Sequence, residues 1–213
     1  VVYASSSSVY GDHPDLPKVE DRIGAPLSPY AASKQIGEIY AQVFQRCFSL
    51  QSVGLRYFNV LGPRQDPEGA YAAVIPRWIE ELRRGSRPRI FGDGETSRDF
   101  CPVANVVQAN LLAAAAGEEA ASRVYNVALG GRTTLNQLYR LIRSELAGLG
   151  IPCAGMEPVY EDFRSGDVRH SHADISRARR VLGYSPLVNL QEGLVATIRW
   201  FSGASGTDVR HDD

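Results

Sequence analysis

The sequence predicts an α/β protein built on a doubly wound parallel sheet, and three consecutive stretches carry that prediction. A short apolar run opens the chain at 1–4, a segment with apolar residues at helical spacing covers 30–48, and a second strand-like run covers 52–57. Strand, helix and strand in that order form the right-handed crossover unit of parallel sheets. Within the helix, Ile36, Ile39, Tyr40, Val43 and Phe44 recur with a period near 3.6 and mark one apolar face. Residues 5–8 and 58–60 then fall at the carboxyl ends of the two strands, where ligands bind in open sheets of this kind.

Beyond residue 63 the pattern loosens, and the remaining elements follow from local signals. A helix is predicted at 74–84, ended by Gly85, then a short strand at 89–91 and a helix at 106–116 that returns to the sheet. A strand at 124–127 precedes a helix at 135–146 opened by Thr133-Thr134, and helices at 175–182 and 190–201 close the fold. The run Leu111-Leu112-Ala113-Ala114-Ala115-Ala116 reads as part of a buried helix, and Trp78 and Trp200 read as core. The tail at 202–213 is rich in Gly, Ser and Asp and is expected to be disordered.

Composition narrows the function classes. The 213 residues admit one domain or two small ones, and a net charge of -1 with 22% charged residues offers no bulk surface for nucleic acid or an anionic membrane. No apolar stretch approaches the roughly 20 residues that span a bilayer. The three cysteines, Cys47, Cys101 and Cys153, are odd in number and lack zinc-site spacing, which suits reduced thiols in a cytoplasmic protein. His170 and His172 lack a clear third ligand nearby, so no metal site is predicted.

Chemistry concentrates in Ser28-Pro29-Tyr30-Ala31-Ala32-Ser33-Lys34 and in the upstream run Ser5-Ser6-Ser7-Ser8. A phenol, an ammonium and a hydroxyl are the equipment for taking a proton from an alcohol. A free phenol, with an ordinary pKa of about 10, is a poor base at neutral pH, and a cation one helical turn away favours its ionised form. The bare Tyr-x-x-x-Lys spacing also arises by chance as a pair of surface residues, so its context decides.

That context is a set of ordered motifs. Val1-Val2-Tyr3-Ala4-Ser5-Ser6-Ser7-Ser8-Val9-Tyr10-Gly11-Asp12, Pro29-Tyr30-Ala31-Ala32-Ser33-Lys34, Leu55-Arg56-Tyr57-Phe58-Asn59-Val60 and Arg98-Asp99-Phe100 together resemble the extended short-chain dehydrogenase family of NAD-dependent nucleotide-sugar epimerases and dehydratases. The likeness runs from Val1 to about Phe201. Asp12-His13-Pro14-Asp15-Leu16-Pro17-Lys18, Arg64-Gln65-Asp66-Pro67 and the stretch 92–100 resemble the bacterial UDP-N-acetylglucosamine 4-epimerase branch. The resemblance implies a Rossmann-like cofactor domain (1–62 and about 99–117), a smaller α/β nucleotide-sugar domain (63–98 and 118–201), NAD as cofactor and a homodimer. The family opens with a Gly-x-x-Gly-x-x-Gly turn that this sequence lacks. The resemblance therefore implies a chain truncated at its N-terminus and inactive by itself.

The same resemblance assigns roles. Tyr30, Lys34 and Ser6 are its catalytic group, and Tyr30, Lys34, Tyr57 and Val60 lie against the cofactor. Ser6, Ser7, Asn59, Ala73, Val74, Arg77, Arg98, Arg132, Arg164, Asp167, Arg169 and Ser171 are implied to hold a UDP-sugar. Arginine forks suit the diphosphate and Asp167 the ribose diol. Ser7 and Ser8 stand where related dehydratases and decarboxylases carry acids, which favours simple epimerisation over those alternatives. Ser171 occupies the family's gatekeeper position, where tyrosine narrows the sugar pocket and serine leaves room for an N-acetyl group. A UDP-sugar-binding fragment without activity is the reading from a different class.

Overall fold

The computed structural model describes residues 1–67, 73–163 and 168–203. Strand β1 (Val2–Ser6), helix α1 (Pro29–Phe48) and strand β2 (Val53–Tyr57) realise the crossover unit, with Val2 opposite Val53 and Ser6 opposite Tyr57 in a parallel register. Ser28 starts α1 sharply because its hydroxyl accepts the Ala31 N–H at 3.1 Å and Pro29 is pre-set for the first helical position. β1 runs two residues further than its apolar run suggests. Ser5 and Ser6 therefore belong to the strand, and a 3-10 turn, Ser7–Tyr10, follows with Ser6 as its cap.

The chain continues through β3 (Val60–Leu61), α2 (Val74–Arg83), β4 (Arg89–Phe91), β5 (Ser97–Arg98), β6 (Cys101–Pro102), α3 (Val103–Ala115) and β7 (Arg123–Val127). It ends with β8 (Thr133–Thr134), α4 (Leu135–Gly148), β9 (Val159–Glu161), α5 (Ser176–Leu182) and α6 (Leu190–Phe201). The main sheet has the order β1-β2-β7, all parallel, with β2 central and buried from Val53 to Arg56. Short pairs β3-β6, β4-β9 and the antiparallel β5-β8 fasten the remainder.

Two apolar clusters form the interior. Leu55, Phe58, Tyr125, Val127, Ala109 and Ala178 fill the first, around the main sheet, α3 and α5. Trp78, Ile79, Leu82, Leu138, Ile142, Leu194 and Ile198 fill the second, between α2, α4 and α6. β7 and α5, within 118–201, pack with the first cluster, because pairing to β2 is a long-range contact that local composition does not report.

Two expectations about burial, those for the Leu111 run and for Trp200, are corrected, and the α1 face is placed. The apolar stripe of α1 is not core: Ile36, Ile39, Tyr40, Val43 and Phe44 are 43 to 61% exposed, and the buried residues of this helix are Ala31 and Glu38. Leu111 is 67% exposed and the buried residues of α3 are Asn105, Ala109 and Ala113, while Trp200 is 38% exposed whereas Trp78 is core. Periodicity reports which residues share a helix face; it does not report what covers that face. Among the described residues no helix is long and apolar enough to cross a membrane. All three cysteines are free, Cys47 at the surface and the other two buried.

Candidate active site

The carboxyl ends of β1 and β2 and the N-terminus of α1 converge on a cavity of about 870 Å³. From β1 and its turn come Ser6 and Ser7, and from α1 comes Tyr30, whose ring is half exposed. Beyond β2 the wall is Tyr57, Asn59 and Val60; α2 contributes Val74 and Arg77 with Ala73 before it, and β5 contributes Arg98. These predicted residues are therefore brought together from positions far apart in sequence.

Lys34 faces an adjoining hollow beside the edge of β1, lined also by Tyr3, Ala4 and Gly37. Its ammonium donates to the Ala4 carbonyl at 3.1 Å and lies 5.7 Å from the centre of the Tyr30 ring. Ser6 Oγ accepts the Ser8 N–H at 3.2 Å, which leaves its own proton for another acceptor. The Tyr57 hydroxyl donates away from the cavity, to Asn110 Oδ1 at 3.0 Å, so only the rest of this residue is presented inward.

A smaller cavity of about 260 Å³ adjoins the first and shares Ser7, Ser28, Asn59 and Arg98 with it. Ser171 lines this second space with Ser8 and Lys18. The backbone of β5 ties that wall, since the Ser97 carbonyl accepts both the Ser171 N–H at 3.0 Å and an Arg98 guanidinium N–H at 3.0 Å. Behind it, the Asp99 carboxylate accepts the N–H groups of Leu129 at 3.0 Å, Gly130 at 3.1 Å, Gly131 at 3.2 Å and Ala173 at 3.2 Å. Burial pushes this carboxyl up to about 6 against the pull of those donors and of His172.

The predicted arginines differ in placement. Arg77 pairs with Glu81 at 3.8 Å while lining the main cavity. Arg169 lies outside both cavities, held by Asp93 at 2.6 Å and stacked on Phe163 with 5.0 Å to the ring centre. Arg132 is exposed and lines neither cavity. Arg164 and Asp167 lie outside the described residues.

Sequence reasoning missed four buried polar residues, Lys18, Asp99, Glu38 and Arg56. Lys18 is 5% exposed, and loss of water lowers its pKa from the ordinary ammonium range. Asp99 stands in the Arg98-Asp99-Phe100 motif, and no local signal marks it as the anchor of the 129–131 turn. Glu38 and Arg56 form a buried pair, and the available signal was Glu38 lying one helical turn beyond Lys34.

Residues 1–128 match the NAD dependent epimerase/dehydratase family. The chain belongs to that family. A UDP-glucose 4-epimerase of Mycolicibacterium smegmatis is 39% identical over 206 residues, covering 96% of this chain and 63% of the relative. The structure of UDP-glucose 4-epimerase from Thermotoga maritima with UDP-glucose superposes with a TM-score of 0.87 at 40% identity, over 95% of this chain and 63% of that one. The UDP-N-acetylglucosamine 4-epimerase of Methanobrevibacter ruminantium in complex with UDP-N-acetylmuramic acid gives the same TM-score, 0.87, identity of 40% and coverage of 95% and 63%. The chain thus spans a little under two thirds of the length of these members of the family. The Rossmann-like α/β fold and the family's dependence on NAD agree with the sequence reading.

Proposed function

We propose that this chain carries the proton-transfer and sugar-binding parts of a UDP-hexose 4-epimerase, with UDP-N-acetylglucosamine as its substrate. The observation that carries the reading is the placement of Tyr30 on the wall of the 870 Å³ cavity with Ser6 on the same wall and the Lys34 ammonium 5.7 Å from its ring. That is a base, a hydroxyl to orient the alcohol and a fixed positive charge beside the base.

The residues also fit the nicotinamide end of a dinucleotide. Lys34 is an accessible ammonium with more N–H donors than the single Ala4 carbonyl uses, suited to a ribose diol, and Tyr57 and Val60 offer a wall next to Tyr30. Bound NAD supplies the hydride acceptor and donor. Tyr30, as phenolate, takes the proton of the sugar 4-hydroxyl while Ser6 donates a hydrogen bond to that oxygen, and Tyr30 returns the proton when the opposite configuration forms. Ser7 and Ser8 bring hydroxyls to the sugar space, so no carboxyl from this turn is available for elimination. Ser171 leaves the smaller cavity open toward the sugar, which supports an N-acetylated substrate. The proposal includes a cytoplasmic homodimer, and the exposed apolar stripe of α1 is a surface suited to a second copy.

The test is to incubate the complete encoded protein with UDP-N-acetylglucosamine and resolve the products by proton NMR. A mixture of the two 4-epimers supports the reading. A 4-keto-6-deoxy product would favour a dehydratase, and UDP binding without turnover would favour a binding protein.

A further inference from the structure

The segments that carry the candidate catalytic residues meet at one buried ion pair. Arg56 holds Glu38 in a fork, Nη2 to Oε2 at 2.7 Å and Nε to Oε1 at 2.8 Å, with the two side chains 3% and 5% exposed. Ser5 Oγ donates to the same Glu38 oxygen, Arg56 Nη1 donates to the Glu20 carbonyl at 2.9 Å, and the guanidinium lies over the Tyr10 ring at 4.9 Å. Each partner adjoins the site. Ser5 precedes Ser6, Arg56 precedes Tyr57, Tyr10 ends the turn that presents Ser7, and Glu38 lies one turn beyond Lys34 and two beyond Tyr30.

What makes the pair more than a stabilising contact is its geometry: Glu38, one of the two buried residues of α1, is gripped on both carboxylate oxygens by a residue of β2. A bidentate guanidinium–carboxylate fork is directional and defines both the rotation and the axial position of the helix.

We propose that the Glu38–Arg56 fork is the positioning device of this site: it sets the register of α1 on the sheet so that Tyr30 and Lys34 stand beside Ser6. This inference rests on the proposed function for its catalytic consequence. Positioning errors near 1 Å can cost about 100-fold in rate. Stability responds differently, because a buried ion pair replaced by well-packed apolar residues is often no less stable, while removal of one partner strands a buried charge.

The experiment compares the complete encoded protein with Arg56→Met and the double variant Glu38→Leu/Arg56→Met, measuring thermal midpoint, kcat, KM and amide hydrogen exchange over residues 29–37. Arg56→Met should lower the midpoint, and the double variant should regain most of it. In the double variant kcat should stay at least about 10-fold down with KM for the UDP-sugar changed far less, and exchange over 29–37 should be faster than in wild type. Wild-type kcat and wild-type exchange in that stable double variant would overturn the proposal and leave the pair a purely structural contact. Should wild type show no turnover, the functional reading fails separately, and the exchange comparison alone decides the positioning claim. If the double variant does not fold, Glu38→Asp decides: it keeps the charge but shortens the reach, so kcat should fall under conditions where both proteins are fully folded, and an unchanged kcat would overturn the claim.

Discussion

The Lys34 ammonium sits 5.7 Å from the centre of the Tyr30 ring and is anchored to the Ala4 carbonyl at 3.1 Å. The spacing of four along α1 puts both side chains on one face, and the bond to Ala4 ties that face to the middle of β1, two residues before Ser6. A positive charge is thereby held beside the phenol proposed as the proton acceptor. The relationship joins a local pattern in the sequence to a contact across the fold.

Ser171 tests the size of the sugar space. It lines the 260 Å³ cavity beside Ser7, Asn59 and Arg98, and its backbone is pinned to Ser97 at 3.0 Å, so a tyrosine there cannot retreat without moving packed neighbours. Ser171→Tyr should depress kcat/KM for UDP-N-acetylglucosamine by about 10-fold or more relative to UDP-glucose. Steady-state rates on both sugars provide the check, and equal losses would remove Ser171 from specificity.

Asp99 should leave a signature in the pH dependence of stability. Its carboxyl is raised from 3.8 to about 6 in the folded chain by burial. The folded state therefore holds a proton that the unfolded state has released across that interval, and the contribution, fully present below about pH 4, is lost as pH rises through 6. Asp99→Asn should flatten the fall in thermal midpoint between pH 4 and 6, although replacing one of the two acceptor oxygens of the 129–131 turn by an NH2 donor lowers the midpoint at every pH. Melting curves of both proteins over pH 4 to 7 decide it.

Helix α4 offers a test of local structure. Thr134 Oγ1 accepts the Gln137 N–H at 3.2 Å and Gln137 Oε1 accepts the Thr134 N–H at 2.9 Å, a reciprocal cap. Thr134→Ala should cost about 1 kcal/mol with little change in kcat, since neither residue reaches the cavity. Chemical denaturation measures the loss.

What was legible in the sequence follows from the range of each interaction. The crossover unit and the bounds of α6 rest on periodicity and chain order, which are local, whereas Tyr30, Ser6 and Asn59 are grouped in the sequence by the resemblance to the family. The two-residue strands β3, β5, β6 and β8 have no period to read, and they appear only because distant backbones pair. The α1 stripe was legible as a face but not as an exposed one. Glu38, Arg56 and Asp99 look like ordinary surface charges in sequence, and their roles arise wholly from partners brought close by the fold. Arg132 and Arg169 show the reverse case, charges read as ligands that the fold leaves outside the two cavities.

The central claim is that Tyr30 is the proton acceptor in a 4-epimerisation, and Tyr30→Phe in the complete encoded protein tests it most directly. The ring is half exposed on the cavity wall, so removing one hydroxyl leaves packing nearly intact. The measurement is kcat for interconversion of the 4-epimers of UDP-N-acetylglucosamine, alongside the dissociation constant for UDP. The account predicts a fall in kcat of about 10²- to 10⁴-fold with UDP binding unchanged. Turnover within a few-fold of wild type would contradict it, since another group would then have to take the proton.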